Sequence, residues 1–135
     1  MKSVRVDRTK AVPQDSSPKG HFDGEVRMQR MASVPDDGEI EFLAVYFSAG
    51  ARTRPHTHEY DQYLQIVEGQ GIVATDSEKR RVAAGEIVIV PAGVWHWHGA
   101  TPHTAMMHLS IRRPGPGQWD VDLKDWATAY EQIKE

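Results

Sequence analysis

Two histidines, His56 and His58, are separated by a single residue and followed far downstream by a third, His96. In extended backbone, side chains two apart project from one face, so both imidazoles of the pair reach the same point. His96 lies in a later strand-like run and joins them only if the sheet curls over, as the wall of a small barrel does. Three neutral imidazoles converging on a point are ligands for one metal ion. The spacing therefore implies a barrel and a metal site together.

His98 and His108 share that geometry. His98 alternates with His96 and faces the same cavity in a continuous strand, while His108 has the parity of Met106 in the next strand. Once three imidazoles meet a metal's demand, further inward ones suit general acid–base work, the transfer of a proton to or from a reacting group. His103 follows Pro102 in a turn and His21 lies in an N-terminal arm, and neither is given a role. Trp95 and Trp97 point away from His96 and read as core or subunit-interface anchors. Arg52 and Arg54 flank the first histidine pair and read as solvated rim residues.

The elements that must position these groups follow from the hydrophobic pattern. Residues 1–24 form an N-terminal arm, rich in turn formers from residue 9 onward. Strand-like runs cover 26–28, 40–47, 60–67, 71–75, 80–83, 87–90, 95–98 and 104–111, within a barrel spanning 25–113. Turn formers at 35–38, 49–50, 68–71 and 84–85 punctuate them, which suits an antiparallel barrel of two Greek keys and not βαβ units. Within 60–67, Gln62, Leu64 and Ile66 share one face, and Asp61 and Tyr63 the other. Beyond a Pro/Gly run at 114–117, the tail carries Leu123, Trp126, Tyr130 and Ile133 at three- and four-residue steps. That spacing predicts one amphipathic helix in 114–135, capped by Asp122 and packed on the outside of the barrel.

These residues resemble the cupin superfamily. Its first motif runs Gly, five residues, His-x-His, three or four residues, Glu, six residues, Gly; Gly50, His56, His58 and Gly69 fall in register, with Gln62 at the glutamate position. Its second runs Gly, five residues, Pro-x-Gly, two residues, His, three residues, Asn; Gly85, Pro91, Gly93 and His96 match, and Ala100 replaces the asparagine. The resemblance implies an all-β fold, a small antiparallel double-stranded β-helix or jelly-roll barrel. The run 91–109 is similar to small bacterial cupins related to carboxymuconolactone decarboxylases, a group that includes manganese-dependent hydroxynitrile lyases. Matching positions imply metal binding at His56, His58, Gln62 and His96, with active-site roles for His98 and His108. They imply one divalent transition metal ion, manganese first, although iron, nickel, zinc or cobalt suits the same donors. With glutamine in place of glutamate, all four donors are neutral, so the ion keeps its charge for an anionic partner and acts as a Lewis acid.

Composition bounds the rest. The chain of 135 residues suits one domain. Sixteen Lys and Arg against nineteen Asp and Glu give a net charge of −3 without a basic block, so a small-molecule substrate is expected and neither nucleic acid nor an anionic membrane. Zero cysteines exclude disulfides and thiolate ligands. No apolar run approaches the roughly 18 residues that span a bilayer, and the N-terminus has no apolar core behind its charges, which predicts a cytoplasmic protein. Short edge strands and four tryptophans predict a homodimer. Three functional classes fit these features: a metal-dependent lyase of the hydroxynitrile type, a dioxygenase with a redox-active metal on the same ligands, and a non-catalytic metal- or ligand-binding barrel.

Overall fold

Fourteen consecutive residues, Gln62–Thr75, form the longest strand, and the rest of the chain is arranged around it. A computed structural model describes residues 1–133. Its strands in chain order are β1 (Val12–Pro13), β2 (Phe22–Asp23), β3 (Val26–Ala32), β4 (Glu41–Phe47), β5 (Arg52–Thr53) and β6 (Thr57–His58). There follow β7 (Gln62–Thr75), β8 (Lys79–Ala83), β9 (Ile87–Val90), β10 (His96–Ala100), β11 (Met106–Arg112) and β12 (Gly117–Gln118). Every pairing is antiparallel, in the order β1-β3-β4-β11-β7-β10-β5-β2, with β8 and β9 also on β7 and a small β12-β6 pair apart. The result is an all-β, curled jelly-roll sheet.

The first half of β7 pairs with β11 and β9, and its second half with β10 and β8. The strand crosses between the two halves at Gly69 and Gly71. A Cβ on Gly69 would lie 1.9 Å from the Ala105 carbonyl oxygen, and one on Gly71 2.6 Å from that of Gly99; Gly69 also has φ +77°. Only glycine fits such an approach. The sequence reads 68–71 as a turn between two strands, and the structure corrects this. Those glycines let one strand bend around the corner of the barrel, where its partners change from β11 to β10 and β8 while the strand itself runs on.

Alternation along β7 places Gln62, Leu64 and Ile66 inside and Tyr63, Gln65 and Val67 outside. Inward residues of both halves, among them Val26, Val45, Phe47, Leu64, Ile66 and Val73, form the main core. Each such large aliphatic side chain contributes about 1.5–3 kcal/mol over its exposed state. The arm is stitched into the sheet edges, Val12 opposite Met28 and Phe22 opposite Thr53.

The predicted C-terminal amphipathic helix is the clearest correction. It is a short 3-10 turn, Trp126–Gln132. Its bonds run to the third residue back, Thr128 N–H to the Asp125 carbonyl and Ile133 N–H to that of Tyr130, and the Trp126 carbonyl accepts from the Arg52 guanidinium at 2.7 Å. An α-helix would give that carbonyl to Tyr130. Asp122 does not cap it; its carboxylate accepts from Lys124 N–H at 2.8 Å. Lys134 and Glu135, the end of the predicted tail, lie outside the described residues. Among the described residues no helix is long and apolar enough to cross a membrane.

Candidate metal centre

His56 and His96 are joined as an antiparallel bridge, each N–H donating to the other's carbonyl at 3.0 and 3.1 Å. Residues directly opposite in such a pair put their side chains on the same face. Their ring centroids lie 4.3 Å apart. His58, two residues on in β6, brings its ring to 4.7 Å from His56 and 5.4 Å from His96. One nitrogen from each of the three lies within 4.8 Å of the others, and all three residues are buried.

Backbone carbonyls orient two of these rings. His56 Nδ1 lies 2.7 Å from the Arg54 carbonyl, and His96 Nδ1 2.9 Å from that of Val94. A carbonyl only accepts, so each Nδ1 carries the hydrogen and donates it, leaving the Nε2 lone pair free. His58 has neither ring nitrogen bonded, although both are buried. Burial and the neighbouring His96 hold His56 well below the usual histidine range. Burial, then the nearby Arg112 guanidinium, lowers His58 to about 3, and burial lowers His96 to about 4. All three are neutral at neutral pH, the form that ligates.

Gln62 supplies the test of whether these residues fit a metal. Its Nε2 donates to Ser110 Oγ at 2.9 Å, which turns its Oε1 toward His96 Nε2 at 3.0 Å. That sets an amide oxygen beside His96 Nε2, and with both ring nitrogens of His58 buried and without a partner among the described residues, the donor set fits a metal ion. Three imidazole nitrogens and one amide oxygen would hold it, and all four donors are neutral.

His98 in β10 and His108 in β11 meet beside the triad, His108 Nε2 lying 3.0 Å from His98 Nδ1. The His98 ring is 5.7 Å from the rings of both His56 and His96. Burial holds His98 well below the usual range, with His108 adding to it, and lowers His108 to about 4. Two neutral imidazoles share one hydrogen, and their outer nitrogens, His98 Nε2 and His108 Nδ1, have no partner. All six sequence-predicted residues thus come together; His56, His58, Gln62, His98 and His108 border a cavity of about 240 Å³, with His96 behind them. Phe22, Met28, Leu43, Val45 and Phe47 form its apolar wall, and Arg30, Glu41 and Arg112 also line it.

Sequence reasoning missed part of this site. Trp119 stacks between His21, at 3.8 Å, and His56, at 3.9 Å. Pairing of β12 with β6, Gly117 opposite His58, carries it there. A lone aromatic just after a Pro/Gly run was the available signal. Arg52, read as a solvated rim residue, is 4% exposed, with its guanidinium carbon 3.9 Å from the Trp126 ring centre and 4.5 Å from that of Tyr130. Cation–π contact and the Trp126 carbonyl replace its lost water.

The cupin domain profile matches residues 43–112. The (R)-mandelonitrile lyase of Granulicella tundricola is 33% identical over 124 residues, 91% of this chain and 92% of the relative. A gentisate 1,2-dioxygenase from a Ralstonia species is 33% identical over 57 residues, 42% of this chain but only 16% of that protein. Among solved structures, a cupin-like protein of Thermotoga maritima superposes with a TM-score of 0.81 at 27% identity, covering 96% of this chain and 98% of its own. A jelly-roll with clustered motif histidines, a matching domain profile and a full-length relative leave one assignment: this chain belongs to the cupin family.

Proposed function

We propose that the protein is a metal-dependent enzyme acting on a small molecule, with His56, His58, His96 and Gln62 holding one divalent transition ion, manganese first. When bound, such an ion polarises a hydroxyl or carbonyl oxygen as a Lewis acid. The observation that carries this reading is the cluster of His56, His58 and His96, all buried, with one nitrogen of each within 4.8 Å of the others.

The His98–His108 pair moves the proton. When His108 Nε2 donates to His98 Nδ1, the outer Nε2 of His98 bears hydrogen and acts as an acid. When His98 Nδ1 donates instead, that outer Nε2 is bare and acts as a base. Three proton movements convert the first form to the second: His98 Nε2 releases its proton to the reacting group, the shared hydrogen passes from His108 Nε2 to His98 Nδ1 across the 3.0 Å contact, and His108 Nδ1 takes one up, so that both rings end neutral.

Carbon–carbon lyase chemistry of the hydroxynitrile type is the favoured reaction, supported by the full-length relative named as a mandelonitrile lyase. The test is anaerobic release of benzaldehyde from (R)-mandelonitrile by metal-loaded protein, with oxygen uptake followed in parallel. Uptake without cleavage would instead favour a dioxygenase, the activity named for the relative matched over a shorter stretch. The homodimer rests on an apolar outer face: Tyr63 pairs with Ile89 across β7 and β9, and Tyr63, Val67, Ile87 and Ile89 are all exposed. A second copy of this sheet would cover them.

A further inference from the structure

Arg112, Glu41 and Arg30 stand on the inner wall of the barrel, where packing alone would place apolar side chains. Register fixes their direction. Arg112 lies opposite both Gln62 on β7 and Glu41 on β4, and Gln62 points inward, so all three share the inner face. Arg30 lies opposite Leu43, a core residue. Arg112 Nη2 is 3.0 Å from one Glu41 oxygen, and Arg30 Nη1 is 3.3 Å from the other. Two cations therefore share one carboxylate.

Glu41 is the only acidic residue among the described residues lining the cavity, so this trio leaves one positive charge in surplus. The metal donors add no negative charge. A cross-strand ion pair needs one arginine, and the side chains of Arg112 and Glu41, 19% and 14% exposed, already form it. The second arginine is surplus to that purpose. Each guanidinium carries five N–H donors in a planar fork; Arg30 gives one to Glu41 Oε2, while Arg112 faces Glu41 Oε1 as an ion pair outside hydrogen-bond geometry. Arg112 stands opposite Gln62 in register and lines the same cavity as His58, which puts the fork beside the histidine cluster.

We propose that the small molecule taken by this cavity carries a carboxylate, held by Arg112 and Arg30, while its other end lies among the histidines and its hydrocarbon against Met28 and Val45. The carboxylate contact stands by itself; only the placing of the far end rests on the proposed function. Two-point binding of this kind fixes a ligand's orientation in a cavity of about 240 Å³.

The test is calorimetric titration of the full, metal-free chain with (R)-mandelate and with (R)-mandelamide, its neutral counterpart. Wild type binds mandelate about ten- to a hundredfold more tightly than the amide. Arg112→Gln and Arg30→Gln each remove most of that preference, and Glu41→Gln, by freeing both guanidinium groups, strengthens mandelate binding about tenfold. An ion pair serving stability alone would make Glu41→Gln and Arg112→Gln act alike, without preference for the acid. That result, equal affinity for acid and amide, or no mandelate binding at all, overturns the proposal. Arg30 is about half exposed, so Arg30→Gln carries the test if Arg112→Gln fails to fold. Mandelonitrile cleavage by the metal-loaded protein separates the two readings. Cleavage without acid preference sinks this one and spares the lyase; acid preference without cleavage does the reverse.

Discussion

All five residues of β10 are buried, yet its two faces are built from opposite materials. Inward, His96 and His98 meet His56, His58 and His108, and four of the imidazole nitrogens there have no partner among the described residues. Outward, Trp97, with Trp95 just before the strand, packs on Trp126, Ala129 and Tyr130 of the tail. There the polar groups are mostly taken up: Trp95 Nε1 donates to the Asp122 carbonyl, Trp126 Nε1 to that of Thr53, and Arg52 to that of Trp126. Trp97 Nε1 and the Nε atoms of Arg52 and Arg54, whose guanidinium groups lie over the Trp126 ring, are the exceptions. One face keeps lone pairs for a ligand, and the other buries aromatic area to hold the strand. Burial alone does not distinguish a site from a core; unspent hydrogen-bonding capacity does.

The comparison breaks most severely at the inner face. His56→Ala or His96→Ala abolishes metal retention while circular dichroism still reports a folded barrel, because Leu64, Ile66 and Val45 supply the core. One metal per chain in either variant, measured by elemental analysis, would refute the ligand assignment. At the outer face, Trp97→Ala costs about 3–5 kcal/mol of stability in denaturant titration, yet leaves metal content per folded chain unchanged. Metal loss from that variant would mean the two faces are not independent.

Acid should act through the inner face. His96 and His108 are lowered to about 4 and His58 to about 3, against an ordinary value of 6.5, so the unfolded chain binds more protons between those limits. Stability contributed by the neutral imidazoles is complete above pH 6.5 and falls as pH drops through 4. The loss is about 3 kcal/mol from His108 alone. His108→Gln removes one proton from the slope of metal-free stability against pH, and an unchanged slope contradicts the burial argument.

A smaller change sharpens the charge logic. Gln62→Glu keeps or raises metal affinity, since a carboxylate of similar size replaces the amide and Ser110 Oγ can donate to it. Turnover then falls about tenfold as the added charge weakens polarisation of the substrate oxygen. Metal binding no better than in Gln62→Ala would show that the amide is not a ligand. The mildest perturbation lies on the open outer face of β9, which the tail does not cover. Wild type runs at about twice 15.2 kDa in light scattering and Ile89→Lys near 15.2 kDa, with metal content equal. A wild-type monomer would exclude the dimer.

Much of the barrel was legible because alternation is local. Gln62, Leu64 and Ile66 could be assigned to one face from spacing, and they share it. The convergence of His56, His58 and His96 was legible for the same reason, since strand parity and a closing sheet suffice. The glycine corner at 69–71 was misread, because glycine marks a turn and a close backbone approach alike. The tail was misread because a three- and four-residue apolar rhythm serves any helix-like turn, and its hydrogen bonds are decided by Arg52 from another strand.

By itself the sequence determined the strand faces and, through strand parity and motif spacing, the convergence of His56, His58 and His96 with Gln62 beside them. Only the tertiary structure decided what stands across the cavity. Trp119 reaches His56 through the pairing of β12 with β6, and Arg112 meets Glu41 and Gln62 through β11, a strand inserted between β4 and β7. Those contacts join residues tens of positions apart. Loop closure and register set them, and no local pattern records either.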